Sequence, residues 1–201
     1  MNKGAIIPLF YLPPIEYFHQ VKNSQNVLIE RYEHFPKQTY RNRASVHSAN
    51  GKLDLIIPVL KGANVHTQIK DVRISYDFDW QRLHWLSLQT SYRSSAFFEF
   101  YEDEFARFYE TRFEYLFDYN SELLSVLLKL LKMDVSLSFT ESYRSEYVEL
   151  ADFRNNIHPK IPSNFKTPPY FQVFEDRNGF MPNLSIVDLL FNQGPRSGEF
   201  L

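Results

Sequence analysis

The chain has 201 residues, with 22 basic and 24 acidic side chains and a formal net charge of −2. This balance argues against a non-specific nucleic-acid binder, which would be clearly basic. Cysteine is absent, which excludes disulfides, thiolate nucleophiles and cysteine metal sites. No apolar run nears the roughly 18 residues needed to cross a bilayer, and no signal-peptide core is visible. We therefore expect one soluble, cytoplasmic domain over residues 1–201.

The first thirty residues predict a strand, a helix and a second strand. Residues 5–10 form a short apolar run, typical of a buried strand. Pro14 suits the first turn of a helix over residues 15–21, and residues 27–29 form the next strand. In open α/β sheets, ligands bind beyond the carboxyl ends of the strands. Tyr11, which follows the first strand, is therefore a candidate substrate-binding residue.

Residues 36–62 predict a β-hairpin. The Asn50-Gly51 pair joins two extended runs, and both residue types tolerate the positive φ of a tight turn. Guanidinium groups on such a scaffold can hold a phosphate or a carboxylate. We therefore expect a small-molecule ligand that carries one of these anions. The candidate substrate-binding residues here are Arg41, Asn42, Arg43 and Lys61.

A polar stripe marks the next predicted helix, residues 80–92, which follows a predicted strand over residues 67–75. His84, Ser87 and Ser91 fall on one face of this helix. One interpretation is a histidine base beside a serine nucleophile. The other is a histidine that is hydrogen-bonded at the edge of a packed helix. His84 is the candidate general base, because imidazole titrates near neutral pH.

Two further helices are predicted from apolar periodicity. Residues 97–117 carry aromatic side chains at steps of three and four, which indicates a core-facing helix. A helix from residue 120 or 121 to residue 131 is apolar on nearly all sides, so we expect it to be buried or to lie at a subunit contact. The sequence therefore leaves open whether the protein forms a homo-oligomer. Residues 135–139 and 170–174 are predicted strands.

Residues 151–169 predict a long loop with four prolines. Loops of this length in compact domains are usually functional or disordered. One interpretation is a lid that adds anion ligands and an acid or base to the hairpin arginines. The other is a solvated connection that proline stiffens. The candidate residues are Asp152 and His158 for catalysis, and Arg154 and Lys160 for substrate binding.

The standard cofactor motifs are missing from the sequence. Neither the G-x-G-x-x-G dinucleotide motif nor the P-loop occurs, and there is no H-E-x-x-H metal motif. The sequence therefore predicts no metal site and identifies no cofactor.

The order of several motifs resembles the WbqC-like protein family. Near the N-terminus the resemblance lies in Pro8, Phe10, Pro13, Tyr17 and Phe18. It continues through Arg41-Asn42-Arg43, Ile57-Pro58-Val59 with Lys61, and Trp80, His84 and Tyr92. It closes with Tyr170, Asn183-Leu184-Ser185-Ile186, Asp188-Leu189-Leu190 and Gly194. Leu9 and Glu16 depart from the family pattern, which has tyrosine and glycine there. The resemblance implies a role in O-antigen or other surface polysaccharide biosynthesis, without an established reaction.

The sequence thus predicts an α/β fold, with a mixed β-sheet that contains a hairpin and helices packed against it. Two functions stay open. The first is a transferase, without a metal or a standard dinucleotide site, that moves an acyl or similar group to a sugar or nucleotide sugar. The second is a non-catalytic anion-binding, sugar-binding or assembly protein of the same pathway.

Overall fold

The computed structural model describes residues 4–60 and 66–201, and Lys61 lies outside these ranges. The strands in chain order are β1 (Gly4–Ile7), β2 (Val27–Ile29), β3 (Arg43–Ser48), β4 (Gly51–Ile56), β5 (Leu137–Phe139) and β6 (Leu150–Asp152). The helices are α1 (Ile15–Lys22), α2 (Trp80–Tyr92), α3 (Phe98–Glu110), α4 (Leu116–Leu130), α5 (Glu175–Asn178) and α6 (Ile186–Gln193). Short 3₁₀ helices cover Ile69–Asp71 and Gly194–Phe200.

A parallel sheet with the strand order β5-β2-β1-β6 lies at the centre of the fold. β1, α1 and β2 form the predicted strand–helix–strand unit, and Ala5 is paired with Val27. All four strands run in the same direction, so their carboxyl ends meet at one edge. We call this edge the strand-end edge.

The predicted hairpin is β3 and β4, which pair antiparallel over their full length. Gly51 has a φ of +98°, a value that favours glycine. The hairpin forms a two-stranded sheet of its own, separate from the parallel sheet. The α/β class with a hairpin is confirmed, and the structure assigns the parallel and antiparallel pairs to separate sheets.

Several predicted elements differ in the structure. β6 overlaps the start of the predicted loop 151–169, because its three residues become a strand only through pairing with β1. Residues 67–75 are not a strand, because they contain the 3₁₀ helix Ile69–Asp71 and pair only through isolated bridges such as Ile74 with Val59. Residues 170–174 belong to no sheet, and Phe171 is exposed. The aromatic helix ends at Glu110, and α4 begins at Leu116, earlier than predicted.

The three longest helices hold the aromatic core. Trp80 of α2, Phe108 of α3 and Tyr119 of α4 are fully or almost fully buried, and their rings contact one another edge to face. The apolar side of α4 is buried within the chain itself. No helix in the described ranges is both long and apolar enough to cross a membrane.

A buried carboxylate joins α6 to the rest of the fold. Asp188 accepts hydrogen bonds from the hydroxyl groups of Tyr92 (2.8 Å) and Tyr170 (2.6 Å) and from the side-chain amide of Gln172 (2.9 Å). The backbone N–H of His47 on β3 donates to the same Tyr92 hydroxyl. We call these residues the Asp188 cluster. Burial raises the pKa of Asp188, and the three hydrogen bonds oppose that rise.

Candidate ligand-binding site at the strand-end edge

A cleft of about 300 Å³ opens at the strand-end edge. The loops that follow β2, β5 and β6 form its walls, which is where ligands bind in open α/β sheets. The lining is aromatic and polar, as is typical of small-molecule sites. It consists of Tyr32, Glu33, His34, Pro36, Gln68, Tyr143, Arg154 and Asn155.

A buried ion pair adjoins the cleft, and its carboxylate residue, Glu33, lines the cleft. The Arg41 guanidinium, 2% exposed, donates from Nε and Nη2 to the two carboxylate oxygens of Glu33, each at 2.6 Å. Arg41 Nη2 also donates to the backbone carbonyl of Arg154 (3.1 Å). Burial raises the pKa of Glu33, although the hydrogen bonds and the charge of Arg41 act in the opposite direction. The Arg41 guanidinium is thus already paired with a carboxylate of the chain.

Arg154, 4% exposed, is held even more completely. Its Nε and Nη2 donate to Asp152, and Nη1 lies 3.4 Å from the Glu30 carboxylate. Its Nη1 and Nη2 also donate to the backbone carbonyls of Arg144 (2.7 Å) and Ser145 (3.0 Å). These bonds use the whole donor set of a guanidinium group. Arg154 is therefore saturated without any ligand.

The loop between β5 and β6, residues 140–149, crosses the strand-end edge, and we call it the strap. Two of its tyrosine rings, Tyr143 and Tyr147, lie 5.3 and 5.2 Å from the Arg154 guanidinium carbon. Cation–π contact of this kind adds to the hydrogen bonds from Arg154 to the strap carbonyls. Arg154 therefore fixes the strap beside the cleft.

The remaining residues of the predicted loop flank this network. Burial raises the pKa of Asp152, but the hydrogen bonds from Arg154 outweigh it, and the pKa lies below its usual value. His158 Nδ1 accepts a hydrogen bond from the backbone N–H of Lys160 (3.0 Å). Burial and the positive charges of Lys160 and Arg41 lower the pKa of His158. The neutral imidazole therefore carries its proton on Nε2, where it can donate to a ligand. Lys160 Nζ donates to Gln38 (2.6 Å).

Asn42 and Arg43, which were predicted to bind substrate together with Arg41, lie apart from the cleft. Asn42 donates to the backbone carbonyl of Ile57 (2.8 Å), which joins the two hairpin arms. Arg43 lies 3.7 Å from Asp54 on the partner strand, and its side chain is 24% exposed. Arg41 and Arg43 diverge because Arg41 lies in a turn and β3 begins at Arg43.

His84 and Tyr11 belong to a second polar cluster, inside the core. The Tyr11 hydroxyl lies 3.0 Å from His84 Nδ1 and 3.0 Å from the Tyr109 hydroxyl. Burial lowers the pKa of His84 to about 4, and a hydrogen bond to the backbone of Ile56 opposes this shift. Ser87 of the predicted stripe donates to its own helix, at the carbonyl of Leu83. Neither His84 nor Tyr11 lines the strand-end cleft.

The structure thus brings Arg41, Asp152 and Arg154 together, with His158 and Lys160 beside them, and leaves His84, Tyr11, Asn42 and Arg43 elsewhere. The sequence interpretation missed Glu30, Glu33 and His34, which follow the predicted strand at residues 27–29. Their position was itself a signal, because residues just after a parallel strand lie at the carboxyl edge of the sheet. Tyr143 was missed as well, although it follows the predicted strand at residues 135–139 in the same way.

Comparison with known proteins supports the family resemblance seen in the order of the sequence motifs. The model of the WbqC-like protein family matches residues 10–151 and 145–200. The chain is 25% identical over 227 residues to "Uncharacterized protein Rv1507c" of Mycobacterium tuberculosis, an alignment that covers 100% of this chain and 98% of the relative. No solved structure matches the chain. The family model covers almost all of the sequence, and we conclude that the chain belongs to the WbqC-like protein family.

Proposed function

We propose that this protein binds a nucleotide sugar at the strand-end edge and transfers an acyl or similar small group to the sugar. The observation that carries the proposal is the cleft, in which aromatic rings, an imidazole and amide groups converge at the carboxyl ends of parallel strands. Its role in surface polysaccharide or O-antigen biosynthesis rests on the family resemblance.

His34 is the base that we assign to this reaction. Its side chain is exposed and lines the cleft beside Glu33. With an acyl thioester as donor, His34 takes the proton from the sugar hydroxyl or amine as that group attacks the acyl carbonyl carbon. The carbon–sulfur bond breaks, and the thiolate leaves and takes up a proton. The products are an acylated sugar and a thiol.

His158 has a different role in this proposal. Its Nδ1 is occupied by the Lys160 backbone, so its Nε2–H donates a hydrogen bond to the ligand and does not remove a proton. Asp152 acts through Arg154 by holding the guanidinium that fixes the strap. His158 thus has a binding role in this proposal, and Asp152 has a positioning role.

The experiment measures binding and turnover separately. Wild type and the His34→Ala variant are titrated with UDP-glucose, UDP-N-acetylglucosamine, dTDP-glucose and GDP-mannose, and thiol release from acetyl coenzyme A is followed. We expect His34→Ala to keep sugar-nucleotide binding and to lose turnover by a factor of about 10²–10⁴, the usual contribution of a general base. Arg43→Ala, on the hairpin surface, is the matched control and is expected to keep both.

A non-catalytic binding protein of the same pathway is the second candidate. It is favoured because Arg41 and Arg154 are already paired with carboxylates of the chain, and because the described lining of the cleft contains no serine, threonine or cysteine nucleophile. Saturable binding of a nucleotide sugar, without thiol release from any acyl donor tested, would favour this candidate. Absence of binding would contradict both candidates.

A further inference from the structure

A second cleft lies on the other side of the strap. It has a volume of about 260 Å³ and begins at the carboxyl ends of β2 and β5. Tyr143 of the strap lines the first cleft, whereas Arg144 and Tyr147 line the second. The two clefts are therefore neighbours, separated by a segment that Arg154 holds in place.

Two guanidinium groups close to the second cleft differ from Arg41 and Arg154: Arg144 lines the cleft, and Arg31 lies behind its Thr140 without lining it. Arg144 is exposed, and neither Arg144 nor Arg31 pairs with a carboxylate in the described parts of the chain. The Nε of Arg31 is buried and has no hydrogen-bond partner among the described residues. A buried donor without a partner is costly. Arg144 and Arg31 therefore lack the carboxylate partners that Arg41 and Arg154 have, and their charge is available to an added anion.

Arg31 connects the two clefts. Its guanidinium carbon lies 5.4 Å from the ring of Tyr32, which lines the first cleft. It also lies 5.9 Å from the ring of Phe117, which packs at 5.8 Å on Phe139 of the second cleft. Its backbone N–H donates to the Thr140 hydroxyl, which lines the second cleft.

Aromatic and hydroxyl groups complete the second cleft. Phe139 and Tyr147 offer ring faces on which a base or ribose can pack, and Thr140 and Ser142 offer hydroxyl groups. Arginine is well suited to phosphate, because its fork donates two parallel hydrogen bonds. Glu141 also lines this cleft, and its charge opposes that of Arg144.

We propose that the second cleft is the subsite for the nucleoside diphosphate part of the substrate, with Arg144 as its phosphate ligand and the positive charge of Arg31 behind it. The inference rests on the proposed function, since the sugar then lies in the first cleft and the substrate spans the strap. It assigns the anion to residues other than Arg41 and Arg154, the guanidinium groups that carboxylates of the chain already pair.

The test is calorimetric titration with UDP, dTDP, GDP, ADP and CDP, and with inorganic pyrophosphate. We expect at least one nucleoside diphosphate to bind more tightly than pyrophosphate, and Arg144→Gln and Arg31→Gln each to weaken it about tenfold or more. Glu141→Gln is expected to tighten binding a few-fold, because it removes a repulsive charge. Arg43→Gln is the matched control and should leave the affinity unchanged. The Arg144 side chain can be replaced safely, since Arg154 bonds only to its backbone.

Each other outcome overturns the inference. If none of the nucleoside diphosphates binds, or if Arg144→Gln leaves their affinity unchanged, the second cleft is not the subsite. If pyrophosphate binds as tightly as every nucleoside diphosphate, there is no nucleoside recognition. Failure of the proposed function is separable, because thiol release and its loss in His34→Ala depend on the first cleft. Turnover that persists in a protein with no diphosphate affinity would overturn this inference alone.

Discussion

Two buried carboxylate clusters in this protein have different surroundings. The Asp188 cluster is closed, and the donors to its carboxylate are two tyrosines and a glutamine in the core. The strand-end cluster of Glu30, Glu33, Arg41, Asp152 and Arg154 pairs carboxylates with guanidinium groups, and part of it lines a cleft. A satisfied carboxylate therefore does not by itself indicate a site. The strand-end cluster differs from the Asp188 cluster because it adjoins a cleft at the carboxyl ends of the parallel strands.

The largest effect is expected at the strand-end cluster. Arg41→Met leaves Glu33 buried without its partner, and breaking a buried ion pair in this way costs about 3–5 kcal/mol. The measurement is the free energy of unfolding by urea. The double variant Arg41→Met/Glu33→Leu removes both charges and should cost less than Arg41→Met alone. A double variant that is less stable than the single one would show that the pair itself drives stability.

In the Asp188 cluster, we expect a substitution to destabilise the fold by removing one hydrogen bond to the carboxylate. Tyr170→Phe removes a 2.6 Å bond to Asp188, and hydrogen bonds to a charged group contribute about 1.5–3 kcal/mol. Urea unfolding measures this loss, and nucleotide-sugar binding should be unchanged because the cluster lies away from the cleft. Altered binding without loss of stability would contradict the separation of the two clusters.

His84 provides a pH-dependent test of another closed site. Its pKa is depressed from 6.5 to about 4, so the unfolded chain binds more protons in that window, and stability is lost as the pH falls through it. From the shift, this group alone should lower the unfolding free energy by about 2 kcal/mol between pH 7 and pH 5. The His84→Asn variant should lack this component. Identical pH profiles for the two proteins would mean that His84 is accessible and titrates normally.

The smallest effect is expected on the hairpin surface. Arg43 and Asp54 are 3.7 Å apart and partly exposed, and pairs of this kind contribute about 0–1 kcal/mol. Arg43→Ala should therefore change the urea midpoint very little and leave ligand binding intact. Loss of binding in this variant would move the anion site back to the hairpin.

The sequence predicted the elements whose local signals are strong. Proline before α1, the Asn50-Gly51 turn and the apolar spacing of α2 each encode their structure within a few residues. β6 could not be predicted in this way, because Leu150–Asp152 is stabilised as a strand by pairing with β1, far away in the sequence. The strands predicted at residues 67–75 and 170–174 were wrong for the opposite reason. Both segments contain apolar residues, but neither is paired in a sheet.

The candidate site was predictable only in part, for the same physical reason. The sequence identified Arg41, Asp152 and Arg154 as charged groups, but it could not show that carboxylates within the chain already occupy both arginines. Arg41 lies 8 positions from Glu33, and Arg154 lies 2 positions from Asp152 and 124 from Glu30. The direction of the parallel strands, which brings Glu33 and Arg154 to one edge, depends on tertiary pairing.

The most direct test of the account is to map where a nucleotide sugar binds. Backbone amide shifts are followed by NMR during titration with the tightest binder among UDP-glucose, UDP-N-acetylglucosamine, dTDP-glucose and GDP-mannose. The account predicts that the perturbed amides cluster in residues 31–36, in the strap and at residues 154–155, with little change around Asp188 or His84. Shifts that cluster on the hairpin or around His84, with the strand-end edge unchanged, would contradict it.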